Sequence, residues 1–559
     1  MRRTTLAAIT TVAAVMPIPQ GPGTAGLEEF LGRAATPQPI STPAPPRNPH
    51  LAPDGKSNIH VDAYQSDTNR GPGPLATGGI ATTSGSYNAE CASITFDARG
   101  RLVTVCVGLD RPTLRLLDPN TLDTIASYPL PPRTPGAGDP LTNFAGGGYF
   151  YLDDQDRAVV PTTERHIAIV AVRGDALVPD GDIDATSVVA PTDQIISALP
   201  DYDGRIWFAT KAGTMGVADP ATGAVHALPL GEPIGNSFAA GDDGVYVVTD
   251  GAMYKLRAGA LGTPEIVWRS GYDNDGTKKP GQTENGSGTT PTLTTSGYVA
   301  ITDNADPVKV VVYRRNDGAQ VCSEPVFDKG ASSTDQSLIA TQDAIFAENN
   351  FGYSNPTTTE NGRTTKPGIQ RVDVRDGKCS TAWRSDEIAP SAVPKLSLAN
   401  GLLYTYTKPA RDDGKDPWYL TAIDARTGKT VYKRLGGEGV GFNNNYAPIT
   451  LGPDGSAYLG TLGGIVSWRD KASSVGSGGT KTAASRVALK VRCLRHGRAR
   501  LTVTGARLSR VTFTRNRHAV KRDRKRPFTL VVRRAKRVGA HAVRTNGRVV
   551  RIAKRGCRG

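Results

Sequence analysis

Residues 289–327 read TTPTLTTSGYVAITDNADPVKVVVYRRNDGAQVCSEPVF. The stretch contains an apolar strand, a Gly turn, a second strand, a polar loop, a third strand, an Asp-Gly turn and a fourth strand. Short apolar runs separated by turn residues are the signal of antiparallel strands joined by hairpins. The stretch therefore predicts one four-stranded antiparallel sheet.

The same frame recurs along most of the chain. The turn before the fourth strand falls near residues 119, 173, 220, 258, 317, 376 and 427. A repeat of about 40–60 residues is the period of propeller blades, and we find no helical periodicity of any length in this part of the chain. We expect an all-β fold with a β-propeller of four-stranded blades over residues 58–470. The other matching stretches are 91–130, 148–185, 195–230, 237–270, 337–385 and 395–435.

An eighth unit, residues 447–470, has only three strands. A strand from the other end of the chain would complete it and remove the last open edge. We expect residues 57–68, SNIHVDAYQSDT, to supply that strand. Eight blades are therefore favoured, with seven as the alternative.

One repeat carries a resemblance to a known family. The run Ala422–Tyr432, AIDARTGKTVY, resembles the A-x-D-x-x-T-G-x-x-x-W repeat of the pyrroloquinoline-quinone (PQQ) dehydrogenase-like propellers, with Tyr432 in place of the tryptophan. The resemblance implies that the Asp, Thr and Gly form the turn between the outer strands and that the aromatic side chain packs between blades. Weaker copies occur at Asp118 with Thr121, at Asp219 with Gly223, and at Asp373 with Trp383.

The net charge of +15 is divided unevenly along the chain. Residues 486–559 contain 25 Lys and Arg and one acid, Asp523, whereas residues 1–485 contain 42 basic and 51 acidic residues. This division excludes a uniformly basic nucleic-acid-binding protein. The basic segment follows a Gly/Ser-rich linker, residues 471–485, and its alternating strands predict a small C-terminal β-sandwich. It resembles the bacterial immunoglobulin-like modules that end actinobacterial exported proteins.

Two interpretations of the basic domain stay open. One is electrostatic attachment to an anionic cell-envelope polymer, and the other is an arginine-rich solvated surface. No RNA-binding aromatic signature or helix-turn-helix accompanies the charge, so no specific nucleic-acid partner is expected.

The N-terminus predicts export. Residues 1–25 have a charged start, a short apolar run and a small-residue exit, as signal peptides do, and residues 26–57 are a Pro-rich linker. No later apolar run approaches the length that spans a bilayer, so we expect a secreted or envelope-associated protein without a transmembrane segment in its mature form. Six cysteines agree with this compartment, and we expect the pairs Cys91–Cys106, Cys322–Cys379 and Cys493–Cys557.

A binding site is expected on one face of the propeller. In a four-stranded blade, the loops between the second and third strands share a face with the loops that link successive blades. These loops are rich in polar residues, which we expect to meet near the central channel and to hold a ligand. The candidate ligand-binding residues are Asn285, Ser287, Thr289, Asp335, Gln336, Lys395, Asn443, Asn445 and Tyr446.

The same loops also predict a calcium site, because carboxylate and amide oxygens are the ligands that Ca²⁺ takes. Such acid-plus-amide sets resemble the axial calcium site of the gluconolactonase and paraoxonase propellers. The alternative is that these Asn and Asp residues serve as turn formers. The candidate metal ligands are Asp303, Asn304, Glu348, Asn349 and Asn444.

Catalytic motifs are scarce. The chain has no HxH, HExxH or G-x-S-x-G pattern, and it lacks the adjacent cysteine pair of many PQQ enzymes; no cofactor-stacking tryptophan or catalytic aspartate is matched. PQQ is therefore not the favoured cofactor. We expect an exported PQQ-like propeller that binds a ligand or acts as a scaffold near the cell envelope. The alternative is an exported propeller enzyme, either a quinoprotein-type oxidoreductase or a calcium-dependent lactonase or esterase.

Overall fold

The computed structural model describes residues 26–108, 111–133, 141–143 and 145–471, together with the strands and short connections of the C-terminal part between 488 and 557. The predicted signal peptide, residues 1–25, and residues 472–485 of the predicted linker lie outside the described residues. The chain divides into two compact units between residues 473 and 474. Each unit is considered by itself below.

The N-terminal unit is built almost entirely of short strands. Its first three strands are β1 (Phe30–Gly32), β2 (Thr68–Asn69) and β3 (Ile80–Ser86). The first four sheets in chain order are formed by β4 (Glu90–Phe96), β5 (Leu102–Val107), β6 (Pro112–Leu117) and β7 (Thr124–Pro129); β8 (Tyr151–Leu152), β9 (Arg157–Pro161), β10 (His166–Arg173) and β11 (Ala176–Asp184); β12 (Ile195–Pro200), β13 (Ile206–Thr210), β14 (Thr214–Ala218) and β15 (Val225–Pro229); and β16 (Ala239–Gly241), β17 (Gly244–Val248), β18 (Ala252–Ala258) and β19 (Pro264–Gly271).

The next four sheets follow the same plan, with two 3-10 turns at Pro356–Thr359 and Val440–Phe442. Their strands are β20 (Thr292–Leu293), β21 (Tyr298–Thr302), β22 (Lys309–Arg314) and β23 (Gln320–Pro325); β24 (Ile339–Ala340), β25 (Ala344–Glu348), β26 (Ile369–Arg375) and β27 (Lys378–Ser385); β28 (Lys395–Ser397), β29 (Leu402–Thr407), β30 (Pro417–Asp424) and β31 (Thr430–Glu438); and β32 (Ile449–Leu451), β33 (Ala457–Thr461) and β34 (Gly464–Asp470).

Within residues 26–471 these strands form eight sheets that follow one another along the chain. Strands that are consecutive in sequence pair antiparallel, and the β33 strand of the last sheet packs against β4 of the first. The ring of sheets is therefore closed, and the architecture is that of a β-propeller. The predicted four-stranded frame is confirmed, including its fourth-strand turns at residues 219–224 and 425–429.

The strand that completes the last sheet is β3, whose residues 80–86 pair with β34. The prediction that residues 57–68 supply this strand is wrong. Those residues include Val61, Gln65 and Asp67, which have φ values of 81°, 56° and 53°. Left-handed backbone of this kind cannot continue a strand ladder, so this segment lies elsewhere.

Residues 56–69, which we call the axial segment, lie along the axis of the ring. Seven backbone carbonyls of this segment accept amide hydrogen bonds. The donors lie in the innermost strands of six sheets or directly after such a strand. One short segment can reach so many sheets only where their inner strands converge. The donor and acceptor pairs are Phe96 to Lys56, Leu152 to Ser57, Ala240 to Ala63, Leu293 to Tyr64, Ala340 to Ser66, Leu396 to Asp67 and Leu398 to Asn69.

The Pro-rich stretch before the axial segment is extended, as predicted, but it is not a free linker. Strand β1 pairs with β31, and the amides of Gln38 and Ile40 donate to the carbonyls of Asn400 and Leu398 at 2.9 Å. Asn48 Nδ2 donates to the carbonyl of Pro200 at 2.9 Å. Residues 30–52 therefore belong to the N-terminal unit.

The Asp-Thr-Gly turns have the structural role that the resemblance implies. Asp424 Oδ1 accepts the amides of Arg426 and Thr427 at 2.8 and 3.2 Å, and Gly428 has a φ of 71°. Trp383 of the preceding sheet covers this turn: its Nε1 donates to the carbonyl of Ala425 at 3.1 Å, and a Cβ added to Gly428 would lie 2.5 Å from its ring.

Tyr432 stands where the repeat has tryptophan, and its surroundings differ from those of Trp383. The last sheet takes its outer strand, β3, from the N-terminal part of the chain. The fully buried Tyr432 therefore meets that part, and its hydroxyl donates to the carbonyl of Pro74 at 2.6 Å.

The three predicted disulfides, Cys91–Cys106, Cys322–Cys379 and Cys493–Cys557, are all present. The second one joins the outer strands β23 and β27 of neighbouring sheets. Three disulfides are typical of proteins that mature in an oxidising, extracytoplasmic environment. In the part of the chain that the structure covers, no helix is long and apolar enough to span a bilayer.

The C-terminal unit contains two antiparallel sheets around one apolar core. The three-stranded sheet pairs β35 with β36 and β36 with β39, and the four-stranded sheet has the order β38-β37-β40-β41. Leu501 from one sheet and Phe513 from the other are fully buried in the shared core. The strands are β35 (Ala488–Leu494), β36 (Arg498–Thr504), β37 (Leu508–Arg515), β38 (His518–Asp523), β39 (Phe528–Arg533), β40 (Arg537–Arg544) and β41 (Val549–Arg555).

Candidate functional site

The axial segment carries a buried polar network. Asp67 is fully buried, and its Oδ1 lies 2.5 Å from Nζ of Lys395, which is 1% exposed. His60 Nδ1 lies 3.2 and 3.1 Å from the two Asp67 oxygens, and Ser337 Oγ donates to Asp67 Oδ2. Burial alone would raise the pKa of Asp67, but Lys395 and His60 together hold it below its ordinary value. The carboxylate therefore stays ionised at neutral pH.

Glu348 completes the network on the far side of Lys395. It is 1% exposed, and its Oε2 accepts the Thr405 hydroxyl at 2.8 Å. Burial raises the pKa of this carboxyl well above its ordinary value, an effect that Thr405 and Lys395 only partly oppose. The two carboxyls whose charges act on Lys395 thus have pKa values shifted in opposite directions.

His60 is the network member that has spare bonding capacity. Because an ionised carboxylate only accepts hydrogen bonds, Asp67 places the ring proton of a neutral His60 on Nδ1. Nε2 then carries a lone pair. This atom is buried and has no hydrogen-bond partner among the described residues. The ring itself is held by Tyr149, which stacks on it with centroids 6.1 Å apart.

His60 and Ser337 form part of the wall of a small cavity on the predicted polar face. Its volume is about 30 Å³, which is room for one or two waters or for the tip of a larger ligand. Four predicted ligand-binding residues also line it, so that the structure brings these side chains from two separate loops together with the axial segment. These four are Asp335, Gln336, Asn445 and Tyr446.

Burial reduces the negative charge of this face. It raises the pKa of Asp335 to about 7, although the amide and hydroxyl of Thr283 oppose the shift. It also raises the pKa of Glu90, which accepts Asn445 Nδ2 at 3.2 Å, to about 8. Both carboxyls therefore hold a proton for much of the time near neutral pH, and the face is less anionic than its acid content implies.

The other predicted ligand-binding residues hold the loops together. Asn304 Nδ2 donates to the carbonyl of Asn285 at 2.9 Å, Ser287 Oγ bonds to Thr289 Oγ1 at 2.8 Å, and Asn443 Oδ1 accepts Tyr353 Oη at 2.9 Å. Lys395 lies in the axial network. The contact of Asn304 with Asn285 joins a second-to-third-strand loop to an inter-sheet segment, so these two loops lie side by side.

The predicted metal ligands have separate sets of partners. Asp303 Oδ1 accepts the amide of Lys309 at 2.7 Å, and Glu348 lies in the axial network. The three amides bond to backbone groups, as turn-forming residues do. Within the described residues no group of three His, Cys, Asp or Glu side chains is placed to hold a metal, and the calcium site stays a prediction. The amide contacts are Asn304 to Thr277, Asn349 to Ala331 and Pro367, and Asn444 to Ser391 and Ala447.

PQQ does not fit this cavity. A fused three-ring quinone needs far more room than about 30 Å³, because cavities that take small organic ligands measure about 300–1,000 Å³. None of the five tryptophans lines the cavity: Trp268 and Trp383 cover outer turns, and Trp207, Trp418 and Trp468 are buried. No reaction step through a quinone is derived.

Sequence reasoning missed the residues that matter most at the axis. His60 and Asp67 were assigned to an ordinary strand, and Ser337 was not singled out. Ser337 and His60 are 277 positions apart, so no local pattern links them. The one available signal was the density of polar residues in SNIHVDAYQSDT, which is unusual for a strand buried on both sides.

Comparison with known proteins gives limited guidance. No protein-family profile matches the chain. A protein of Archaeoglobus fulgidus described as uncharacterized is 28% identical over 318 residues, a match that covers 50% of this chain and 61% of that protein. The chain thus spans about three fifths of the length of this relative.

Three solved structures are similar over more than half of the chain. Quinohemoprotein alcohol dehydrogenase from Comamonas testosteroni is 12% identical, with a TM-score of 0.48, and the match covers 80% of this chain and 84% of the enzyme. A europium-containing methanol dehydrogenase is 11% identical, with a TM-score of 0.44 and coverages of 73% and 91%. BamB from Moraxella catarrhalis is 16% identical, with a TM-score of 0.35 and coverages of 63% and 94%. No activity follows from similarities at this level.

Proposed function

We propose that this chain is a PQQ-like propeller that acts outside the cytoplasm as a ligand-binding module, with its eight sheets as the blades of one ring. The ligand site is the cavity on the polar face. The observation that carries this proposal is His60 Nε2, a buried acceptor atom without a protein partner in the described part of the chain, on the wall of that cavity. Buried polar groups in native proteins are nearly always hydrogen-bonded to protein or to water, so a water or a ligand group in this cavity would supply the partner of Nε2.

The chemistry of the wall defines the ligand class. His60 Nε2 offers a lone pair, so the ligand group that reaches it is an N–H or O–H donor. The cavity of about 30 Å³ admits only such a group and not a whole metabolite. Tyr446 and Asn445 lie at the same cavity and supply further polar contacts to the rest of the ligand.

Ligand-observed NMR with a library of small polar fragments tests the proposal on the full chain. We expect fragments with N–H or O–H donors to bind the wild-type protein and to lose binding in His60→Leu. Asp67→Asn should weaken the same fragments, because the amide no longer fixes the tautomer of His60. An identical fragment profile for wild type and His60→Leu rejects the site.

A hydrolytic enzyme is the second candidate, and one observation favours it. A carboxylate-oriented imidazole with a free Nε2 is the arrangement of a general base. In a lactone or ester hydrolase, Nε2 would take a proton from water while the water oxygen forms a bond to the carbonyl carbon of the group that reaches the cavity. The acyl carbon–oxygen bond would then break, and the proton would pass from Nε2 to the departing alkoxide oxygen. Turnover of γ-butyrolactone and p-nitrophenyl acetate, lost in His60→Gln, would support this function; rates equal to buffer would reject it.

The C-terminal unit supports a location at the cell surface. Its two sheets and shared core agree with an immunoglobulin-like β-sandwich, and residues 486–559 carry 25 basic residues against one acid. Such a charge attracts anionic polymers by releasing their counterions. We propose that this unit holds the propeller at an anionic polymer of the cell envelope.

A further inference from the structure

A second and larger cavity, of about 200 Å³, opens at the opposite end of the axis. Its wall includes Thr294 and Thr341, which directly follow the innermost strands β20 and β24. The polar-face cavity is lined by Thr290 and Ser337, which precede the same two strands. The two cavities are therefore separate, with the axial segment between them.

The floor of the second cavity presents polar side chains from the axial segment. Asp62 is 3% exposed and accepts the amide and the hydroxyl of Ser66. Burial, reinforced by Asp54, raises the pKa of Asp62 to about 7, so at neutral pH this carboxyl both donates and accepts hydrogen bonds.

Asn69 lines this cavity with a side chain that has no hydrogen-bond partner among the described residues. This residue is 7% exposed. A carboxamide has one acceptor oxygen and two N–H donors. The group lies in the wall of an open cavity, where a bound ligand can take the place of water at its oxygen and nitrogen.

The charges around the cavity exclude a strongly charged ligand. Asp54 and Asp62 are set against Lys56 and Arg70 in the same wall. Asp54, together with Asp62 in its ionised form, disfavours phosphate or sulfate, and the two cationic side chains disfavour a metal ion or an amine. A balanced, hydrogen-bonding wall suits a neutral polar molecule.

The rim supplies apolar surface without aromatic rings. Pro43, Pro45, Pro72 and Pro453 are among the lining residues. Proline rings pack against C–H groups, whereas a planar base or quinone would need an aromatic side chain for stacking, and the lining contains none. The ligand therefore combines C–H faces with many hydroxyl groups.

We propose that this cavity binds one neutral sugar residue. Asn69 and Asp62 bond to neighbouring hydroxyls at the floor, Arg70 donates to an oxygen at the mouth, and the proline rim covers the C–H face. A volume of about 200 Å³ takes a single pyranose ring. The source is either a free monosaccharide or the end of a saccharide chain, since both present the same ring.

Saturation-transfer NMR on the full chain tests the proposal. The probes are D-glucose, D-galactose, D-mannose and N-acetyl-D-glucosamine, with inorganic phosphate as the charged comparison. We expect transfer to at least one neutral sugar, and an excess of phosphate, which has no C–H proton of its own to observe, should not reduce that transfer. A trisaccharide that binds no better than its monosaccharide indicates a free sugar, and one that binds at least tenfold tighter indicates a chain end.

Two variants and one control locate the binding. Asn69→Ala should weaken the sugar at least tenfold, because it removes the unpaired carboxamide. Gly71→Phe places a ring at the cavity wall, where an added Cβ meets no atom within 4 Å, so the fold should persist while the sugar is blocked. Asn120→Ala, on an exposed outer turn, should bind as wild type does.

The outcomes that overturn the proposal are specific. Loss of every sugar's saturation transfer when phosphate is added rejects the ligand class. Sugar binding that survives both Asn69→Ala and Gly71→Phe rejects the cavity. No saturation transfer to any of the four sugars, from protein whose melting transition shows it to be folded, rejects the site altogether.

Discussion

Replacing Asp67 with asparagine removes one charge from a fully buried ion pair and leaves Lys395 behind. The two charged atoms lie 2.5 Å apart, and the side chains are 0% and 1% exposed. Removing one partner of a buried pair costs about 3–5 kcal/mol of unfolding free energy, because the other charge stays uncompensated. The asparagine keeps the volume of Asp67, so a cavity contributes little to this cost.

Guanidinium unfolding followed by tryptophan fluorescence measures the effect. The five tryptophans lie between residues 207 and 468, so the signal reports the N-terminal unit and not the basic unit. We expect Asp67→Asn to lower the unfolding midpoint with little change in slope. Glu265→Gln, which breaks a surface pair with Arg257 in which both side chains are well exposed, should leave the midpoint in place.

A double variant separates the ion pair from other effects. Lys395→Met in the Asp67→Asn background removes the orphaned ammonium, and we expect it to restore at least half of the lost stability. The reasoning is refuted if Asp67→Asn costs less than about 1 kcal/mol, or if the two substitutions destabilise the protein additively.

Four further predictions follow from the structure. Burial raises the pKa of Glu90 to about 8 and of Asp335 to about 7, so their contributions to stability are complete below pH 4 and are lost as the pH rises toward 8. Glu90→Gln and Asp335→Asn should therefore flatten the profile of unfolding free energy against pH. An unchanged profile would show that neither group titrates between these limits. Gly428→Ala should destabilise the protein by about 1–3 kcal/mol, because φ at this residue is 71° and the new Cβ would lie 2.5 Å from the ring of Trp383. The control is Gly174→Ala. Gly174 also has a positive φ, but an added Cβ there meets no atom within 4 Å, so this variant measures the cost of the backbone conformation alone. If the polar loops hold calcium, Ca²⁺ should raise the melting temperature, EDTA should reverse the rise, and Asp303→Ala and Glu348→Ala should abolish it; a melting curve indifferent to both reagents would remove the calcium site. The full chain should bind an immobilised anionic wall polymer at low salt and elute by about 0.5 M salt, because salt then screens charges within a few ångströms. A chain ending at residue 473 should not be retained. Retention that salt does not alter would exclude electrostatic attachment.

Local patterns were enough to predict the strands, their turns and the disulfides. Asp424, Thr427 and Gly428 form a turn through hydrogen bonds within a few residues, and turns of this kind depend on adjacent sequence. The pair Cys91–Cys106 follows from one hairpin in the same way. The common face of the polar loops follows from the alternating direction of antiparallel strands.

The candidate site was predicted only in part. Asp335, Gln336, Asn445 and Tyr446 do line one cavity, because loops on one face must converge at the axis. The roles of Asn304, Asn349 and Asn444 as backbone partners were visible only in the fold, since an amide that bonds a neighbouring loop has the same sequence signature as a ligand. The pKa values of Asp335 and Glu348 likewise depend on burial, which composition does not reveal.

The sequence by itself determined a series of four-stranded sheets, three disulfide pairs and the separation of a mildly acidic body from a strongly basic C-terminal unit. Each of these depends on local spacing or on residue counts. Tertiary structure alone decided that residues 56–69 fill the axis, that β3 completes the last sheet, and that His60 and Asp67 meet Ser337 and Lys395. The physical reason is that seven amides on six different sheets needed acceptors at the axis, and only closure of the ring brought those sheets to one segment.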